Sequence, residues 1–133
     1  MIYKKPLFKE VFILSLTVAV LHYFATIHSL YWSIGWYDIM MHFLGGLLIG
    51  LIAFLFFFTS DKIHYPKDNK IVIFVTVIGV VLVVGLFWEL WEIFVGFTDT
   101  VNDAGDTALD LIMDVIGAIF AYYYGLSRLN FEK

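Results

Sequence analysis

Four long apolar runs, separated by short polar breaks, constrain this chain more than any other feature of it. Three exceed about 18 residues and the fourth comes close, the length that crosses roughly 30 Å of hydrocarbon. The spans they imply extend from about Val11 to Trp32, Trp36 to Phe58, Ile71 to Phe97 and Asp106 to Leu126. A soluble domain of 133 residues has too much surface for its volume to hide a 62% apolar composition behind 15% charged residues. Lipid as the solvent removes that difficulty. The expectation is an all-α, polytopic membrane protein, a single membrane domain over residues 1–133 with four transmembrane helices in a bundle.

The breaks set the topology. A tight turn at Ser33-Ile34-Gly35, a polar loop from Thr59 to Lys70 containing Pro66, and an acidic loop from Thr98 to Gly105 join the four runs. All eight basic residues fall on one side of this arrangement: Lys4, Lys5, Lys9, Lys62, Lys67, Lys70, Arg128 and Lys133. The positive-inside bias then predicts cytoplasmic termini and a cytoplasmic middle loop in the plasma membrane, with the turn and the acidic loop facing outward. Tyr31, Trp32, Trp36 and Tyr37 fit an aromatic belt at the outer interface. The basic start and the stretch Val11 to Leu21 have the look of a signal peptide. The apolar run continues to Trp32 without a small-residue cleavage site, so an uncleaved first span is expected.

Ionisable residues inside a membrane need a partner or a role, since an Asp at a helix centre costs about 2.5–3.5 kcal/mol to insert. The outer halves of the second, third and fourth helices carry a set of them. Asp38 and His42 are spaced i, i+4 and share a face; Glu89 and Glu92 are spaced i, i+3; Asp106, Asp110 and Asp114 form an i, i+4, i+8 ladder. At about 1.5 Å per residue, Glu89 lies roughly 12 Å below Phe97, Asp114 roughly 12 Å below Asp106 and His42 roughly 9 Å below Trp36. Glu92, Asp110 and Asp38 form a shallower layer. So many carboxylates at matching depth cannot all be charged and alone. A bound divalent cation, shared protons or interhelical hydrogen bonds must balance them. Oxygen ligands with one imidazole suit Mg, Mn, Fe(II) or Zn, and the absence of cysteine excludes thiolate sites, disulfides and thiol redox chemistry. The expected metal ligands are Asp38, His42, Glu89, Asp110 and Asp114, with Glu89 and Glu92 as the expected catalytic carboxylates.

Other residues are secondary candidates. On a continuous first helix, His22, Thr26, Ser29 and Ser33 form one polar stripe facing the centre, while His28 has better depth but a worse angle. Both histidines read more readily as packing residues than as ligands. Asp106 either joins the ligands or caps the fourth helix, where Thr107-x-x-Asp110 resembles a capping box. Gly46 and Gly50 match G-x-x-x-G and predict close helix packing. Trp88 and Trp91 flank the glutamates as packing or interfacial residues. The loop Asp99 to Gly105 lacks EF-hand spacing and reads as solvated. No nucleophile motif, phosphate loop or nucleic-acid patch is present, so the expected partners are membrane lipids, with a homo-oligomer open.

Three segments in order, Asp38-Ile-Met-Met-His42-Phe43-Leu-Gly45, Glu89-Leu90-Trp91-Glu92 and Gly105-Asp106-Thr107-Ala-Leu-Asp110 through Gly117-Ala118, carry a resemblance. They resemble the VanZ-like membrane proteins and especially the YjdF-type inner-membrane family, whose pattern is D-x-x-x-H-F, E-x-x-E and G-D-x-x-D-T-x-x-D followed by G-A. The match covers the second to fourth helices. This chain is shorter, has fewer spans and lacks the extra residues between Gly105 and Asp106. Asp114 stands where the YjdF type tends to be small and apolar and VanZ-like proteins tend to have Asn. The association of VanZ with teicoplanin resistance implies an outer-leaflet lipid or a lipid-bearing ligand.

The functional expectation is therefore a site near the outer face that binds a divalent cation and binds or acts on an envelope lipid. A proton- or cation-coupled transport or channel subunit is the alternative from another class. A non-catalytic envelope or antibiotic-resistance factor, whose carboxylates only hold helices together, is the third.

Overall fold

The structure is a computed structural model that describes residues 7–59, 66, 68–96 and 104–130. Its elements are α1 (Phe8–Ile27), the one-turn α2 (Leu30–Ser33), α3 (Tyr37–Phe58), α4 (Lys70–Val95) and α5 (Ala104–Asn130). Four of these helices are long and apolar enough to cross a membrane. At about 1.5 Å per residue, even α1 reaches roughly 30 Å.

The helix ends have local causes. Asn69 starts α4 by accepting the amide protons of Ile71 and Val72 on its side chain. Gly96 stops it in the left-handed region at φ 76°, where a residue without Cβ carries no strain. The first expected span, Val11 to Trp32, is corrected. The helix ends at Ile27, and Ser29 takes a left-handed φ of 53° before the single turn of α2. That reversal carries Tyr31 back beside α1, where its hydroxyl lies 2.7 Å from His22 Nδ1. It also dissolves the expected polar stripe. Thr26 donates to the His22 carbonyl of its own helix, and Ser33 donates to the Ser29 carbonyl. At the other end of the chain, α5 runs a turn beyond Leu126, which places Arg128 beside Glu10 of α1.

The core lies between α3, α4 and α5. Leu51, Phe54, Phe58, Ile73, Val77, Val81, Ala118 and Ala121 are buried together there. The tightest pairing is α3 with α5, and glycines set it. A Cβ on Gly46 would run into the Asp114 backbone, and one on Gly117 into the backbone of Phe43 and Leu47. One on Gly50 would lie 2.6 Å from Ala121 Cβ. The close packing expected of Gly46 and Gly50 is thus within one chain, against α5. Helix α1 packs on α3 and buries only Ala25 among its own residues. Large apolar side chains such as Phe12, Leu16, Phe87 and Phe94 face outward, as a lipid solvent permits.

Candidate metal centre

His42 is the hub. It lies on the second turn of α3, one turn below Asp38, and the glycine-lined contact with α5 draws Asp110 and Asp114 in against it. Helix α4 supplies Glu89 from the third side. Nε2 of His42 stands 3.8 Å from Asp38 Oδ1, 3.9 Å from Glu89 Oε1 and 3.9 Å from Asp110 Oδ2. Nδ1 stands 3.4 Å from Asp114 Oδ1, on the other side of the ring. His42, Glu89, Asp110 and Asp114 are all buried, none more than 7% exposed, while the Asp38 side chain keeps 30% of its surface.

This arrangement is short of positive partners. A neutral imidazole carries one proton, yet carboxylates face both ring nitrogens. Glu89 takes a side-chain hydrogen bond from Thr107, but among the described residues its buried Oε1 has no hydrogen-bond partner, and neither has Asp110 Oδ1. The chain has no Lys or Arg between residues 10 and 61 or between 71 and 127, so no basic side chain from the spans stands near to compensate. Buried acceptors without donors are costly and call for an explanation such as an ion.

Two overlapping sets have ligand atoms within 4.8 Å of one another: Asp38, His42 and Asp110, and His42, Glu89 and Glu92. Both draw on His42 and share no carboxylate. The second set includes Glu92, one turn above Glu89 and half-buried, whose Oε1 accepts the Trp88 indole N–H at 2.9 Å.

Of the expected residues, Asp38, His42, Glu89, Glu92 and Asp110 converge. Asp114 also joins them, but at Nδ1 and in neither ligand set. Asp106 is exposed in the first turn of α5, which begins at Ala104, so Asp106 does not cap it and Thr107 is engaged with Glu89 instead. His22 is exposed, bonded to Tyr31 and edge-on to Trp88 at 6.3 Å; His28 stacks on Phe24. Neither reaches His42. The solvated loop expected at Asp99 to Gly105 lies outside the described residues as far as 103. Sequence spacing passed over Gly85 and read Thr107 only as part of a capping box; the signal for either at the site was its helical register opposite the acids.

Residues 2–130 match the family described as "Predicted membrane protein (DUF2238)". The chain belongs to this family. No curated protein and no solved structure matches it. Family membership and the four apolar helices make this a multi-pass membrane protein. As a DUF2238 protein it carries a buried His/Asp/Glu cluster whose spacing suits a metal ion.

Proposed function

We propose that this protein binds one divalent cation between α3, α4 and α5, and that the loaded site binds or acts on an envelope lipid at the outer side of the plasma membrane. The observation that carries the cation is a pair of buried oxygens with no hydrogen-bond partner among the described residues: Glu89 Oε1, which itself faces His42 Nε2, and Asp110 Oδ1, whose carboxylate faces the same nitrogen through Oδ2. A divalent ion gives both a positive partner and uses the ring nitrogen that faces them. Asp38, His42, Glu89 and Asp110 are the ligands of this reading. Hard oxygen ligands with one imidazole favour Mn, Mg, Fe(II) or Zn.

The outward orientation rests on the one-sided distribution of Lys and Arg, and the lipid on the resemblance to VanZ-like and YjdF-type proteins. The way out of the site passes Asp38 and Glu92, the least buried members, at the end of the bundle that this orientation places outside. If the site is catalytic, the metal would activate water, and Glu92, at the rim of the ligand set, is the carboxylate placed to take a proton.

A transport or channel reading needs a path to the other side. Below Asp114 the described core includes Leu51, Phe54, Val77, Val81, Ala118, Ala121 and Tyr122, with no Asp, Glu, His, Lys or Arg among them. That dry segment favours a one-sided site.

The test is elemental analysis of the purified, detergent-solubilised protein beside its Glu89→Gln/Asp110→Asn double variant. Near-stoichiometric metal in the wild type, lost in the variant, is the expected result. No metal in either, with the variant folded, would leave the carboxylates as helix-to-helix hydrogen bonds in a non-catalytic envelope factor.

A further inference from the structure

His42 has two ring nitrogens and the bundle treats them differently. Nε2 faces three carboxylates at 3.8–3.9 Å, whereas Nδ1 faces Asp114 alone at 3.4 Å, the shortest of the four separations. Ligating histidines commonly donate their other N–H to a carboxylate, which fixes both the tautomer and the ring plane. Asp114 has the position for that task. It is 5% exposed and lies deeper along α5 than Asp110 by one turn, away from the rim.

The surroundings of Asp114 are hollowed out for it. A Cβ on Gly46 of α3 would meet its main chain, and a Cβ on Gly85 of α4 would lie 2.5 Å from its Oδ2 and 3.1 Å from Leu111 Cδ2. These two glycines therefore do separate things. Gly46 sets how close the backbones of α3 and α5 come. Gly85 leaves room for the carboxylate itself.

We propose that Asp114 is a positioning residue, holding His42 through Nδ1–H so that Nε2 is the metal-facing atom, and that Gly85 is the cradle that lets its carboxylate take that position. This rests on the cation reading for its effect on affinity, but the state of the ring is readable without any metal. The Gly85→Ala variant is the sharp probe, because it adds one methyl and changes no charge. A loss of binding there cannot come from a weaker electrostatic field, as it could in Asp114→Ala.

The experiment uses the full chain in detergent, stripped with a chelator, with 15N-labelled histidine and the His42 signals assigned through His42→Gln. At a pH where the ring is neutral, the wild type should show the tautomer protonated at Nδ1, and both Gly85→Ala and Asp114→Ala should lose that preference. Titration with Mn(II) alone should show about 10- to 100-fold weaker binding in both variants. Gly79→Ala, on the same helix with open space at the Cβ position, should bind as the wild type does. Thermal unfolding of each variant checks that it is folded; should Gly85→Ala not fold, the wild-type ring decides. A wild-type ring protonated at Nε2 would overturn the proposal, as would wild-type Mn(II) affinity in folded Gly85→Ala. A wild type that shows the Nδ1 tautomer but takes up no metal would sink the cation reading and leave the Asp114–His42 pairing standing.

Discussion

Glu10 of α1 and Arg128 of α5 form an ion pair at the end of the bundle opposite His42, with the Tyr124 hydroxyl 3.0 Å from the same guanidinium. The pair closes a loop of 118 residues between the ends of the described chain. Helix α1 buries little of its own surface, so this tie matters more to it than an ordinary surface pair would to a well-packed helix. Arg128→Gln and Glu10→Gln should each lower the melting temperature in detergent modestly. The swap Glu10→Arg/Arg128→Glu should recover part of the loss. An additive loss in the swap would show that the pair does not couple the helices.

Glycines at the α3–α5 contact and glycines elsewhere should respond oppositely to an added methyl. Gly46→Ala places Cβ against the Asp114 backbone, which cannot rotate away, so the helices must part. Overpacking of this kind costs about 1–3 kcal/mol. Gly79 has nothing within 4 Å of its Cβ position, and Gly79→Ala should be neutral or stabilising by up to about 1 kcal/mol through helix propensity. Denaturant titration of both variants against the wild type reads the difference in sign.

Hydropathy and spacing made the spans and the acids legible because both follow from helical register alone. Asp38 above His42 and Glu92 above Glu89 need only the 3.6-residue repeat. The break at Ser29 was not legible, since Ser29 carries no glycine or proline signal and adopts its φ of 53° without one. A stripe drawn across it therefore joined residues that the chain separates. The two faces of the imidazole were equally hidden. Register places Asp114 near His42, but only the approach of α5 to Gly46 decides that it meets Nδ1 while Asp110 meets Nε2. Tertiary contact, not local pattern, divides the carboxylates between the two ring nitrogens of His42.

Glu92 should matter less to cation binding than Glu89. It is half-buried and its Oε1 is already engaged by the Trp88 indole, whereas Glu89 is 4% exposed with Oε1 unpartnered. In Mn(II) titrations Glu89→Gln should abolish or nearly abolish binding, and Glu92→Gln should weaken it only a few-fold. Trp88→Phe, which frees the Glu92 carboxylate without changing charge, should have a still smaller effect. Equal losses at Glu89 and Glu92 would place the ion nearer the rim than Glu89 and Asp110 indicate.

Tyr31 gives the fold a pH dependence that a single variant can isolate. Burial first, and then the nearby Asp38 carboxylate, push its phenol from 10.0 up to about 12. An acid with a raised value in the folded state keeps its proton when the unfolded chain has already lost it. Between about pH 10 and 12 the native state therefore binds more protons than the unfolded state, and stability must fall as pH rises. Below pH 10 both states hold the proton and the contribution is flat. Tyr31→Phe removes this titration along with the hydrogen bond to His22 Nδ1. The variant should be less stable than the wild type at pH 8, and its melting temperature should fall less steeply from pH 9.5 to 11.5. Parallel slopes in the two proteins would mean that Tyr31 ionises as freely in the folded state as in the unfolded one.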